Sequence, residues 1–380
     1  MAQSTSSPSL PQELKNAIIG YLHDCTDDLK ACALSSRSLL HVSQSYLFYD
    51  VSVYHPRNRS DDRPMEAEDC AFVHAALGRL AAVLVESPHL LQHIRSLAIT
   101  TYLNVVLLVA DMGLTHLQTL VLYSDITGVV EGPLVAPLQR LIALESLTRV
   151  EVSAAAFSTQ IFSSCSQNLT ELAFDAAEDD DGLILSPAPT RTEIKCLQLC
   201  NSPFSSNCWL TSSDCPFNFV HLVDVAILAS MSASVRRILD SAKQSTVVAL
   251  KLTASDIALG RLDLARFSAL RQIYLVVPHI CHIVSLLSSI SDLDCMNIIQ
   301  KITFDLEDTF CDHHWSLAAE TRLARFDAAL ANLPLFSLRE VVFRLPRMES
   351  EDLWESEAIL KRALCGLNSQ RILRVEGKAG

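Results

Sequence analysis

The chain has 380 residues, a formal net charge of −13, and 49% apolar against 19% charged residues. This apolar content excludes a mostly disordered chain, and the length calls for two or three domains or one extended repeat array. The acidic balance argues against a nucleic acid or an anionic membrane surface as partner, and only 10 glycines leave few loops able to cradle phosphates.

Residues 1–8 are Ser-rich and polar and read as a disordered tail. The opening MAQSTSSPSLPQEL has neither the basic nor the apolar region of a secretory signal. The best apolar runs, Val105–Ala110 and Ala81–Val85, fall far short of the ~20 residues of a bilayer span. The expectation is an intracellular chain, cytoplasmic or nuclear, whose 12 cysteines are reduced thiols packed as small apolar residues. The sequence Asn168-Leu169-Thr170 then carries no meaning as a glycosylation acceptor.

Residues 9–53 read as a helix cluster. Pro11 suits a first helical turn because it has no N–H to leave unpaired. Leu14, Ile18, Ile19 and Leu22 form an apolar stripe. Asp27 or Asp28 is expected to cap a second helix carrying Leu29, Cys32, Ala33 and Leu34. Arg37, Leu39 and Leu40 follow, then Tyr46, Leu47 and Phe48, and Val51 and Val53 alternate like a short strand. So few residues bury too little surface to be stable alone. Either the cluster packs on the rest of the chain or it presents an apolar face to a partner.

Residues 54–90 read as a linker loop and a helix. The charged stretch 55–66 with its two prolines is the loop. The helix over 67–86 is predicted to bury Phe72, Ala76, Leu80, Val83 and Leu84.

From residue 91 to 377 one pattern recurs: apolar, two residues, apolar, one residue, apolar. It starts at Ile94, Leu117, Leu147, Leu169, Ile194, Leu222, Val247, Leu270, Ile299 and Leu338, with a vestige at Leu373 and Val375. The starts lie 23, 30, 22, 25, 28, 25, 23, 29 and 39 residues apart, mostly the period of a leucine-rich repeat or slightly longer. The intervals read as helical: Ala319, Leu323, Phe326, Leu330 and Leu333 share a face, as do Val235, Ile238, Leu239 and Ala242, and Ile283, Leu286, Leu287 and Ile290. Strand followed by helix, many times over, predicts an α/β fold with a parallel sheet. A βα solenoid fits the period, and an ordinary twisted parallel sheet has the same alternation. The Asn or Cys usual eight residues after the first apolar position is absent at all ten, so the array is degenerate.

In a solenoid strand the fourth and sixth positions point into the core, and the third and fifth point outward. The outward set is Arg149, Glu151, Glu171, Gln198, Asp224, Lys251, Gln272, Tyr274, Lys301, Thr303 and Glu340. It mixes both signs without a basic stripe, which suits a protein or peptide ligand better than a phosphate. This surface is the candidate substrate site.

The N-terminal residues also carry a resemblance. The order LPQEL, an apolar pair ahead of Tyr21-Leu22, DL-xx-CAL-x-SR, and Q-xx-LF resembles an F-box. It is similar to the F-boxes of large fungal families that carry degenerate leucine-rich repeats behind them. Glu86–Ile99 resembles the bridge from F-box to repeats in that group. The resemblance implies an N-terminal three-helix F-box followed by a degenerate leucine-rich-repeat solenoid. It implies docking on a Skp-type adaptor of a cullin–RING ubiquitin ligase through Leu10, Pro11, Leu14, Ile18, Leu22, Leu29, Cys32, Leu34 and Leu47. The function so implied is substrate recognition, with an unknown protein substrate, no cofactor and no enzymatic step. One departure stands out: Ser38-Leu39 holds the place where many F-boxes have an aromatic. A repeat scaffold whose N-terminal helices are only a cap is the alternative, and an α/β enzyme without local motifs is the third reading.

Metal-ligand spacing was sought at Cys196/Cys200, Cys208/Cys215, His279/Cys281/His282 and Cys311/His313/His314. None has the C-x2-C spacing of common zinc modules, so no metal is expected. No G-x-S-x-G, H-E-x-x-H, Walker or G-x-G-x-x-G motif occurs. The acidic run Glu178-Asp179-Asp180-Asp181 reads as a solvated loop.

Overall fold

A backbone that repeats a five-residue strand must place each new strand beside the last. The computed structural model shows where this happens over residues 10–53, 67–101, 103–123, 132–153, 156–175, 178–179, 191–200, 209–228, 233–243, 246–253, 264–277, 299–306, 317–332, 337–346 and 350–377. The tail over 1–8, the loop over 55–66 and the helix expected around Ile283–Ile290 lie outside the described residues. The chain forms two units, Met1–Leu169 and Thr170–Gly380.

The first unit opens with helices α1 (Gln12–Gly20), α2 (Thr26–Ser35) and α3 (Arg37–Leu47). Strand β1 (Asp50–Val53), helix α4 (Ala67–Glu86) and a 3-10 turn (Pro88–His93) lead to β2 (Ser96–Thr100). Then come α5 (Leu103–Asp111), β3 (Thr119–Tyr123), α6 (Gly132–Ile142), β4 (Arg149–Ser153), the two-residue β5 (Ala156–Phe157) and a 3-10 turn (Thr159–Phe162). Strands β1 to β4 pair in sequence order, all parallel.

The second unit runs β6 (Glu171–Asp175), the short β7 (Glu178–Asp179) and β8 (Thr192–Glu193), β9 (Cys196–Cys200), a 3-10 turn (Trp209–Thr211) and the short β10 (Phe217–Asn218). It continues through β11 (Asp224–Leu228), α7 (Ala233–Ser241), β12 (Ala249–Thr253), a 3-10 turn (Leu264–Arg266), β13 (Gln272–Val277) and β14 (Lys301–Leu306). Helix α8 (Leu317–Asn332), β15 (Glu340–Leu345), α9 (Ser350–Ala363), α10 (Cys365–Ser369) and β16 (Leu373–Gly377) close it. The main sheet here has the order β6-β9-β11-β12-β13-β14-β15-β16, again parallel throughout. A doubly wound sheet reverses its strand order at a switch point. Neither unit does so. The class is α/β with a large parallel sheet, an arrangement consistent with a βα solenoid.

The inward positions behave as the spacing predicts. All ten pattern starts are buried, and so are the fourth and sixth residues of every repeat. The fourth positions stack across strands as Leu97, Leu120 and Val150 in the first unit, and as Leu172, Leu197, Val225, Leu250, Ile273, Ile302 and Val341 in the second. Each fully buried side chain contributes roughly 1.5–3 kcal/mol, an upper estimate because the unfolded chain already hides some surface. Among the sixth positions Phe304 stacks on Phe343, with centroids 4.9 Å apart, and meets Phe326 of α8 edge-on at 5.3 Å. Helix α8 therefore lies against the inward face, held by the predicted Leu323, Phe326 and Leu330.

Several expectations need correction. Pro11 sits one residue before α1 rather than in its first turn. Cys25 precedes α2, while Asp27 and Asp28 fall inside its first turn, where their charge complements the helix dipole. Among the described residues of α4, Val73, Leu77 and the expected Leu84 are buried; Phe72 and Val83 are exposed, so the start of the core-facing stripe is rotated by about one residue. The intervals after β4, β9 and β12 carry a 3-10 turn among their described residues, where the spacing had suggested helix throughout.

Helix α10 has no polar residue at its own N-cap, which is Leu364. Asp327 of α8 takes that role instead: its carboxylate accepts from Gly366 N at 2.7 Å and Leu367 N at 2.9 Å. The fit is tight, since a Cβ on Gly366 would stand 2.8 Å from Asp327 Oδ2. At the other end Arg371 adopts φ 60°, with Arg371 N donating to Asn368 O and Ile372 N to Leu367 O, a Schellman closure without its usual glycine. Urea unfolding is expected to show Asp327→Ala losing about 1–3 kcal/mol. Arg371→Gly should gain about 0.5–1 kcal/mol, the strain released less the extra unfolded-state entropy of glycine.

Candidate docking surfaces

The first surface is built by α1 to α3. Helix α1 turns Ile19 inward, 1% exposed, against the bundle. Leu10, Leu14, Ile18 and Tyr21, spaced by four, four and three residues, share the opposite, outward face. Leu14 and Ile18 are each 52% exposed and Tyr21 is 87% exposed. Helix α1 is tied to the start of α3 by polar contacts: Gln12 Nε2 donates to Ser38 O at 3.1 Å, and Lys15 Nζ to Ser38 Oγ at 3.1 Å. Ser36 caps α3 through its hydroxyl, which accepts from Ser38 N. Ser38 is thus a structural bolt between α1 and α3, and Leu39 beside it is half-buried.

The sequence-predicted docking residues divide. Leu10, Pro11, Leu14, Ile18 and Leu34 are exposed, Leu34 by 89%; Leu22, Cys32 and Leu47 are half-buried. Leu29 is corrected: at 1% exposure it is a core residue of the bundle and reaches no partner surface.

The second surface is the outward face of the strands. Most repeats begin with the same backbone contact. The carbonyl of the second position accepts N–H bonds from both the second and third positions of the next repeat. Arg95 O takes Gln118 N at 2.7 Å and Thr119 N at 2.9 Å, and Gln118 O takes Thr148 N and Arg149 N. In the second unit the same fork joins Thr170 to β9, Lys195 to β11, Val223 to β12, Val248 to β13, Arg271 to β14 and Gln300 to β15. The fork also joins Tyr49 O to Arg95 N and Ser96 N. Residues 48–53, FYDVSV, are therefore a first repeat that the sequence reading left inside the helical segment, although Phe48, Val51 and Val53 carry the same spacing.

With register fixed, outward side chains align in rows. In the first unit Arg149 pairs with Glu151 at 3.0 Å. In the second, Glu171, Asp224, Gln272, Lys301 and Glu340 share one row, with Cys196 and Ala249 between them. Gln198, Lys251, Tyr274, Thr303 and Arg374 share the next, with Ala226 and Val342 between them. Thr303 lies in the outward row but is buried, since Tyr274 and Val342 flank it.

Around Tyr274 these rows close into a network. Lys251 Nζ stands 4.5 Å from the Tyr274 ring centroid, and the Arg344 guanidinium 5.4 Å. The Tyr274 hydroxyl donates to Asp305, and Arg344 pairs with Glu376 at 3.1 Å. Arg374 reaches both Glu376 at 2.8 Å and Glu340 at 3.5 Å, and Glu340 pairs with Lys301 at 2.7 Å. Asp305, Arg344 and Glu376 were missed because they stand one outward position beyond the six-residue pattern; reading two residues further along each strand finds them. Burial, then the bond to Asp305 and its charge, pushes the Tyr274 phenol up to about 12. The hydrogen bond from Lys301 holds Glu340 below the usual carboxylate value, whereas burial and then Glu171 push Asp224 up.

Nothing here gathers metal ligands: among the described residues no group of three or more His, Cys, Asp or Glu is placed to hold an ion. Cys196 and Cys200 lie on one strand, and burial raises the Cys215 thiol to about 12, which keeps it protonated. Cys208, His279, Cys281, His282, Cys311, His313 and His314 lie outside the described residues. Among the described residues no helix is long and apolar enough to cross a membrane. No protein-family model matches the chain, and neither does any curated protein.

Replacing Tyr274 by Phe should remove one phenol from the 295 nm absorbance titration. The difference from wild type is expected to rise near pH 12 instead of near the ordinary phenol value of 10.

Proposed function

We propose that the chain is a non-enzymatic substrate-recognition subunit of an SCF-type cullin–RING ubiquitin ligase. In this reading α1 to α3 are an F-box that docks a Skp-type adaptor, and the strand array is a degenerate leucine-rich repeat whose outward face takes a protein substrate. The subunit does no chemistry. It holds its substrate near a ubiquitin-loaded enzyme and raises the effective concentration there. The assignment also implies work in the cytoplasm or nucleus.

The observation that carries the reading is the outward stripe of α1. Leu14 and Ile18 on α1, with Leu10 just before it and Tyr21 at its C-cap, are held to water on the side opposite the core contact at Ile19. Leu34 on α2 adds a further exposed apolar side chain. An exposed apolar stripe of this kind marks an interaction surface, and each anchor that becomes fully buried on docking contributes roughly 1.5–3 kcal/mol. The scaffold reading, in which these helices only cap the array, has one observation in its favour: β1 pairs with β2 over four residues, so the segment does terminate the sheet. Capping uses β1 and leaves the α1 stripe uncovered, which is why docking is the fuller account.

Co-expression with a Skp-type adaptor and size-exclusion chromatography tests the reading. A one-to-one complex is expected. Leu14→Asp and Ile18→Asp should each weaken it by at least tenfold while circular dichroism stays that of wild type, because both side chains are already half in water. Failure of the folded wild-type chain to co-elute would leave the scaffold reading in place.

A further inference from the structure

Helix α3 meets the strand array through two imidazoles. His41 lies edge-on to His93, the last residue of the 3-10 turn before β2, with ring centroids 5.0 Å apart and planes at 88°. His93 Nε2 is buried and has no hydrogen-bond partner among the described residues. The charges that act on the ring are His41 from α3, His89 from the same turn and Arg95 at the start of β2. All three are basic. Helix α4 packs against the same turn. Its described titratable side chains, Arg79 and Glu86, are not among the charges that shift the ring. A proton on His93 would therefore place a charge, and an N–H without an acceptor, in a partly desolvated joint ringed by basic groups.

We propose that the His41–His93 contact is an acid-released latch that fixes α1 to α3 to the first strands of the array and loosens them when His93 is protonated. It stands whether or not these helices dock an adaptor. Burial first, then His41, His89 and Arg95, lowers the His93 pKa from 6.5. The sign follows from linkage: above 6.5 the ring is neutral in both folded and unfolded chains and the latch holds. As pH falls below 6.5 the unfolded segment binds the proton first. Stability is then lost until the folded pKa is reached.

Hydrogen exchange with mass spectrometry on the full chain at pH 7.5 and 5.5, corrected for intrinsic rates, reads the latch directly. Protection in α1 to α3 and in Pro88–His93 should fall at pH 5.5, by up to about tenfold, the one unit that separates pH 5.5 from 6.5. Strands β9 to β15 should not change. His93→Phe keeps a ring against His41 without a titrating nitrogen, so its protection should be the same at both pH values. Equal acid loss in wild type and His93→Phe overturns the latch, as does wild-type protection that ignores pH. Should His93→Phe not fold, the NMR titration of histidine-labelled wild type decides. A ring titrating below 6.5 and moved by His41→Phe supports the latch, and the absence of any such ring overturns it.

Discussion

One backbone contact governs this molecule: the carbonyl that accepts two N–H bonds from the start of the next repeat. A parallel strand displaced by one residue would turn its whole apolar set to the other face. The fork prevents this at each joint it spans, and it asks nothing of the side chain at the donor or acceptor position. Arg95, Gln118, Thr170, Lys195, Val223, Val248, Arg271 and Gln300 all serve equally as acceptors. A repeat held in this way can lose its consensus at the exposed positions while keeping its geometry.

That explains which parts of the fold were legible. The fourth and sixth positions and the repeat starts must be apolar to stay dry, and with the polar residues between them and their period they pointed to ten strands. The repeat at Phe48 obeys the same rule but stands 46 residues before Ile94, beyond any period that would flag it. The signal just upstream was also readable. Leu91, Leu114, Leu144, Phe219 and Phe267 lie three residues before a repeat start, and each carbonyl accepts the start's N–H. Interval structure was less legible, because an apolar residue every three or four positions serves a 3-10 turn as well as a helix. Helix α4 shows the same limit on a finer scale. Its period was clear, but Phe72 and Val73 both fit it, and only packing decides which one turns inward.

The outward face shows what register does for side chains. Lys301, Glu340, Arg374, Glu376 and Arg344 come from β14, β15 and β16 and share no sequence motif. The alignment of three strands makes them a chain of ion pairs ending on Tyr274 and Asp305. Each pair taken alone is partly solvated and contributes little. Linked, they restrict one another's rotamers and hold Tyr274 between two cations. Any ligand at this face would meet a preset polar surface, and a cation in it would bind a new anion only in competition with a carboxylate already present. This suits a ligand read by several alternating contacts better than one held by a single phosphate.

The N-terminal helices carry two demands that oppose one another. To cap the array they must keep a core of their own, and Ile19, Leu29 and Ser43 are buried. To dock a partner they must leave apolar side chains in water, and the α1 stripe does so. Short helices do not meet both demands through hydrophobic burial alone, since each residue turned outward for the partner is one taken from the core. Polar bolts make up the difference: Ser38 receiving Gln12 and Lys15, Ser36 capping α3, and the imidazole contact at His93. Such contacts depend on geometry and protonation more than on buried area. The attachment of these helices is consequently the part of the first unit most open to adjustment by conditions, while the strands behind it, held by backbone forks, are the least.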